Sequence, residues 1–276
     1  MRLLFIALLS LQLLSADVNP GWKKPFPAHH IAGNVYYVGT EDLASFLITS
    51  PQGHILINTG LADSVPLLQQ SVEKLGFHLK DVKILLNMQA HFDHVAAMEE
   101  VRKLTGAKVY ATEADAPIMA DGGKSDPYLG PEYAFAPIHV DRVLKDGEVI
   151  KLGSTELTVL TTPGHSKGSV SYTMTVDDKG QKRLLAFANM ETIIMPLVGN
   201  AKYPRIIADC EETFAKQRRL SPEIWLAAHA SQYDMAKKVK TGSFVDPQGY
   251  KAAVARCEQQ FRKQLAQEEA KTAAAR

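Results

Sequence analysis

The segment Asn87-Met88-Gln89-Ala90-His91-Phe92-Asp93-His94 gathers the Gln89 amide, two imidazoles and one carboxylate into a short stretch of chain. In extended backbone, residues two apart face the same way, so Gln89, His91 and Asp93 project together. His94 adds a fourth group where a helix is expected to begin. Nitrogen and oxygen donors converging at a strand end suit a divalent metal ion. Two further histidines sit in comparable places. Thr161-Thr162-Pro163-Gly164-His165-Ser166-Lys167-Gly168-Ser169 puts His165 in a tight turn between two strands, and Leu226-Ala227-Ala228-His229-Ala230-Ser231 puts His229 at the end of another strand. Loops beyond strand ends are where ligands gather. Any one of these histidines alone is better read as a cap or a surface imidazole. Their shared kind of location is what favours a joint role, and His29, His30, His54, His78 and His139, which lack it, read as structural or solvated. Cys210 and Cys257 are the two cysteines, and neither has a metal-type spacing, so the donors are nitrogen and oxygen. Both cysteines fall in expected helices, and the sequence leaves open whether they pair.

Such a constellation needs strands that end at a common edge. Short apolar runs predict strands over 35–38, 45–49 and 54–58, with Pro51-Gln52-Gly53 turning between the last two. Val65, Leu68, Val72 and Leu75 recur at helical spacing over 64–75, and Gly76 suits the cap. A buried strand over 82–86 leads into the donor-rich segment. A helix over 95–104, a strand over 108–110 and a short helix over 113–119 follow. Residues 122–137, rich in Gly, Pro and aromatic side chains, predict a loop of the kind that often serves function. Further strands are expected over 148–151, 156–161, 169–176, 183–187 and 224–227, with helices over 207–219, 232–239 and from 248 onward. Residues 17–30 read as an irregular lead-in, and the Ala/Lys/Glu-rich end after Ala266 as a fraying tail. Strands then helices, twice over, predict an α/β fold: two mixed β-sheets face to face with helices outside, an αββα sandwich.

Arg2 precedes an apolar run over 3–14 broken only by Ser10 and Gln12, and small Ser15 and Ala16 follow. That is the layout of a secretory signal peptide over residues 1–16, too short for a comfortable membrane span. Residues 17–276 are then expected as a single exported domain in a bacterial periplasm. Lys+Arg (31) balance Asp+Glu (30), so no net field points to nucleic acid or to an anionic membrane as a partner. With no heptad stripe in view, a monomer is the expectation.

Gln89 to His94 resembles the HxHxDH signature of the metallo-β-lactamase superfamily, with Gln89 in place of the first His. The likeness runs from about Val35 to the C-terminal helix, through Tyr37-Val38-Gly39-Thr40, Ile55-Leu56-Ile57-Asn58-Thr59-Gly60, Pro163-Gly164-His165, and His229 with Ser231-Gln232-Tyr233-Asp234. Within the superfamily the chain is most similar to the subclass B3 metallo-β-lactamases, in particular their Gln-containing, GOB-type branch. The resemblance implies zinc-dependent hydrolysis of the β-lactam ring of penicillins, cephalosporins and carbapenems, and hence antibiotic resistance. It also implies two zinc sites, Gln89, His91 and His165 at the first, Asp93, His94 and His229 at the second, with Asp93 as the catalytic residue orienting the attacking water. An amide oxygen is a weaker zinc ligand than imidazole, so one or two ions per chain are expected, the first loosely held.

Many superfamily hydrolases carry a bridging Asp after the strand that ends near Phe187. Here that stretch reads Ala188-Asn189-Met190-Glu191-Thr192, with Met190 where B3 relatives usually have Ser. A thioether does not bridge two zinc ions, which argues against a lactonase-like or glyoxalase-II-like centre unless Glu191 shifts into register. Thr192 and Lys167 are candidates for contacting a substrate carboxylate. Two rival readings stay open: another exported hydrolase of this fold acting on a lactone or thioester, and a zinc-binding protein without catalysis. The absence of His-rich tracts speaks against the second.

Overall fold

A computed structural model describes residues 19–190 and 192–275. The expected signal peptide over 1–16, and Glu191, lie outside the described residues. Seven strands form the first sheet, side by side in chain order: β1 (His29–Ala32), β2 (Val35–Tyr37), β3 (Phe46–Ser50), β4 (Gly53–Ile57), β5 (Val82–Leu86), β6 (Lys108–Thr112) and β7 (Arg142–Leu144). The first four are antiparallel neighbours, and β4 to β7 run parallel. In the second sheet, β8 (Val149–Leu152), β9 (Thr155–Thr161), β10 (Val170–Asp178) and β11 (Gln181–Phe187) make an antiparallel meander, and β12 (Ile224–Leu226) joins β11 in parallel. Both sheets are therefore mixed, as expected.

The central strands are apolar on both faces because both faces are covered. Phe46, Ile48, Ile55, Ile57, Ile84 and Leu86 point between the sheets, where they meet Leu157, Val159, Tyr172 and Phe187. The Phe46 and Phe187 rings, 5.2 Å apart, join the two layers directly. The alternate residues Leu47, Leu56 and Leu85 face outward. There they are covered by Val65, Leu68 and Val72 of α1 (Val65–Lys74) and by Met98 and Val101 of α3 (Met98–Thr105), which α2 (Phe92–Val95) precedes. Helix α4 (Asp115–Ala120) packs on the same side through Ile118 and Met119. Beyond the second sheet lie α5 (Ile206–Arg219), α6 (Met235–Thr241) and α7 (Pro247–Ala274). Phe214 and Phe261, with ring centroids 5.6 Å apart, pack α5 on α7. Among the described residues, no helix is long and apolar enough to cross a membrane.

Four local readings are corrected. The lead-in closes with an edge strand, β1, and β7 is a short strand that the pattern did not show. The tail does not fray after Ala266: α7 continues to Ala274 because Glu268 Oε2 accepts from the Leu197 and Val198 amides at 2.7 and 2.8 Å, while Gln264 Nε2 donates to the Met195 carbonyl. The helix expected from 232 starts at Met235, because Asp234 takes left-handed backbone (φ 54°) after a single 3-10 turn, Ala230–Tyr233.

Candidate metal centre

The parallel strands β4 and β5 deliver their C-terminal ends to one rim of the sandwich, and the donor-rich segment begins there. Asn58, just past β4 with φ 60°, accepts the Met88 amide on Oδ1 at 2.9 Å and donates to the Ala44 carbonyl. Tyr172 donates its hydroxyl to the Asn87 carbonyl, and the Asn87 amide donates to Asp115 at 2.6 Å. The buried turn of α2 is fixed in turn by Thr59, which bonds the His94 carbonyl through its amide. These braces hold Gln89, His91, Asp93 and His94 at 3%, 4%, 6% and 0% exposure, too buried for solvent to satisfy them.

His165 stands in the β9–β10 turn, where Gly164 and Ser166 close a backbone bond and Ser169 Oγ accepts the Ser166 amide. Its Nδ1 lies 2.7 Å from the Thr192 carbonyl, so that N–H donates there and Nε2 is left as the ligand atom. His229 follows β12. Its Nδ1 lies 3.2 Å from Asp42 Oδ2, a carboxylate that also accepts the Trp22 indole and the Ser231 amide. Nε2 of His229 therefore faces inward, 3.5 Å from Asp93 Oδ2.

Asp93 Oδ2 also lies 3.2 Å from His94 Nε2, and the ligand atoms of Asp93, His94 and His229 all fall within 4.8 Å of one another. Two donors bound tetrahedrally to one zinc ion at 2.0–2.1 Å stand about 3.3–3.4 Å apart. The second expected site is thus shaped for an ion. His91 and His165 meet beside it with ring centroids 5.0 Å apart. Gln89 Oε1, His91 Nε2 and both ring nitrogens of His94 are buried with no hydrogen-bond partner. Leaving such groups unpaired costs roughly 1–3 kcal/mol each, and coordination removes that cost. The donor set fits zinc.

The electrostatics agree. Burial pushes His165 down to about 3 and His94 down to about 4, so both rings are neutral near pH 7, as metal ligands must be. Burial alone would raise the Asp93 carboxyl, but His94, His229 and His91 outweigh it and hold Asp93 below the usual range. For His91, burial disfavours the proton, yet Asp126 outweighs it and raises the group.

A model of the metallo-β-lactamase superfamily matches residues 38–178. The chain belongs to that superfamily. Among solved structures, this metallo-β-lactamase-superfamily chain is similar to the class B3 di-zinc enzyme LRA-12 from an Alaskan soil metagenome, at 43% identity and TM-score 0.87 over 91% of this chain and 98% of that one. It is also similar to the metallo-β-lactamase GOB-18 of Elizabethkingia meningoseptica, at 40% identity and TM-score 0.87 over 91% and 97%. The match to a hydroxyacylglutathione hydrolase of Cereibacter sphaeroides is 30% identical over 107 residues, 39% of this chain and 33% of the relative. The chain spans between about a third and two thirds of the length of the curated relatives it matches. It is a metallo-hydrolase, subclass B3 fits its structural likeness, and zinc is the metal that likeness implies.

The structure brings all six expected ligands to one rim. Thr192 is there too, engaging His165 through its carbonyl and through Oγ1 at 2.9 Å from Nδ1. Lys167 is exposed, its Nζ 5.6 Å above the Tyr203 ring. Sequence reasoning missed Asp42, Asp115 and Asp126, isolated carboxylates with no spacing to mark them. It also missed an aromatic wall beside the rim, where Trp22 stands 5.7 Å from His229 and 6.1 Å from Phe92, and Phe92 4.8 Å from Tyr133. Removing the Asp42 carboxylate frees the His229 ring. Asp42→Ala should weaken zinc at the Asp93 site about 10- to 100-fold, measured by competition with a chromophoric chelator.

Proposed function

We propose that this chain hydrolyses the β-lactam ring of penicillins, cephalosporins and carbapenems, with zinc held by Gln89, His91 and His165 at one site and by Asp93, His94 and His229 at the other. The observation behind this reading is the set of buried, unpartnered donors on a fold 43% identical to a class B3 enzyme. Zinc supplies Lewis acidity, which lets water act as a nucleophile near neutral pH. Asp93 would be a metal ligand, and its carboxylate would orient the attacking water towards the ring carbonyl. Burial keeps His94 and His165 unprotonated, so their ring nitrogens stay available as ligands across the neutral range. Lys167 meets the substrate carboxylate, and the Thr192 hydroxyl is shared between substrate and His165. Trp22, Phe92 and Tyr133 form the apolar side against which a substituent rests. Asp42 keeps His229 in one tautomer and one orientation. Residues 1–16 act as an export signal, the remainder works in the periplasm as a single monomeric domain, and the activity serves antibiotic resistance.

A second reading, thioester hydrolysis, is favoured by the match to a hydroxyacylglutathione hydrolase. Against it stands Met190, 3% exposed just past β11, where a carboxylate would be needed to bridge two ions. A panel of a carbapenem, a cephalosporin, an S-acyl glutathione and a lactone separates the two. Turnover of both β-lactams, well above that of the others, is expected. Turnover of the thioester alone would replace the β-lactam reading.

A further inference from the structure

Asp42 joins three segments that are distant in the chain. Its backbone carbonyl accepts the Ala230 amide at 2.7 Å, and its backbone amide donates to the Gly21 carbonyl at 3.2 Å. The side chain reaches the same two segments. Oδ1 accepts the Ser231 amide at 3.0 Å, while Oδ2 accepts His229 Nδ1 at 3.2 Å and Trp22 Nε1 at 3.1 Å. One carboxylate oxygen thus serves an expected zinc ligand and an indole together.

The lead-in presents that indole on a braced backbone. Asn19 Oδ1 accepts the Gly21 amide at 3.0 Å and caps the 3-10 turn Pro20–Trp22. Beyond the turn, the Glu41 amide donates to the Lys24 carbonyl at 2.8 Å, and Lys24 Nζ pairs with Glu41 Oε1 at 2.9 Å. None of these bonds uses the Trp22 side chain. The indole N–H can only donate, so its bond to Asp42 fixes the direction of the half-buried ring. The same bond acts on the carboxylate. A carboxylate held by one imidazole alone is free to turn about its Cβ–Cγ bond. The Ser231 amide on one oxygen and the indole beside His229 on the other restrain that rotation.

We propose that Trp22 is a positioning residue for the second metal ion, its indole N–H holding Asp42 Oδ2 where that oxygen orients His229. The proposal rests on the zinc reading above and extends it. The ring that forms part of the wall at the rim, 5.7 Å from His229, also sets the orientation of that ligand. The lead-in is then a working part of the metal site.

The test is zinc binding to the purified, metal-stripped full chain, by competition with a chromophoric chelator. His91→Ala marks the binding step that belongs to the first site, and the step it spares is the second. Trp22→Phe keeps an aromatic ring beside Phe92 and deletes the N–H. It should weaken the second step about three- to tenfold, the scale of one hydrogen bond, and leave the first unchanged. A double-mutant cycle separates this role from general loosening of the lead-in. A bond that works through Asp42 has nothing left to act on once the carboxylate is gone, so in the Asp42→Ala background Trp22→Phe should change neither step. Wild-type affinity at both steps in Trp22→Phe, or the same loss in both backgrounds, would overturn the proposal while leaving the two metal sites standing. A wild-type chain that takes up no zinc would overturn both together.

Discussion

Asp93→Asn should lower kcat/KM for a carbapenem by roughly 10²–10⁴-fold, the range associated with losing a positioned proton-handling group. Asn keeps the shape of the side chain and removes its charge. The carboxylate stands 3.2 Å from His94 Nε2 and 3.5 Å from His229 Nε2, at 6% exposure, so no water replaces it. Burial works against ionisation, but the three imidazoles around Asp93 outweigh it and hold the carboxyl below its usual range, so the native group is ionised near neutral pH. Two losses combine in the variant. One zinc ligand becomes neutral and weaker, and the oriented water loses its acceptor. Steady-state hydrolysis at saturating zinc, with the metal content of the same sample measured, separates them. A rate within a few-fold of wild type would remove Asp93 from the chemistry.

Gly168→Ala should destabilise the fold by about 1–3 kcal/mol, the usual scale of overpacking, and should displace His165 as well. An added Cβ at Gly168 would meet Asp115 Oδ1 at 1.9 Å and Cγ at 2.2 Å. Asp115 has nowhere to go. It is fully buried, accepts the Asn87 amide at 2.6 Å, and through Asn87 braces the loop that carries Gln89 and His91. The other partner in the collision is the His165 turn, whose Gly168 carbonyl accepts from Thr112 Oγ1. Either way of relieving the clash moves a first-site ligand. Thermal unfolding read beside zinc content checks this: a lowered midpoint with less than full zinc is expected, and a variant with wild-type stability and zinc would show that the contact relaxes freely.

The strongest sequence signals were those that are local in the chain. Gln89, His91, Asp93 and His94 share one segment, and the alternation of strand residues projects them together before any tertiary contact is known. His165 and His229 were legible because turn residues and strand ends bracket them. The alternating cores of β3, β4 and β5 were legible for the same reason. Asp42 was not: it serves His229 across 187 residues of chain, and nothing around it in sequence marks a role. Asp126 and Asp115 were hidden likewise, each a single carboxylate whose meaning comes from what the fold sets opposite it. Strand β7 escaped because an edge strand is only half covered, leaving Arg142 and Val143 exposed and no apolar run to read. The tail of α7 escaped because its order comes from Glu268 and Gln264 reaching the 195–198 loop, not from an apolar stripe.

The most direct measurement is hydrolysis of a carbapenem by the purified protein before chelation, after removal of metal, and after zinc is restored. Turnover that disappears with the metal and returns with zinc is the expected result. Turnover that survives complete metal removal, or no β-lactam hydrolysis in zinc-replete buffer, would contradict a zinc-dependent β-lactamase at this rim.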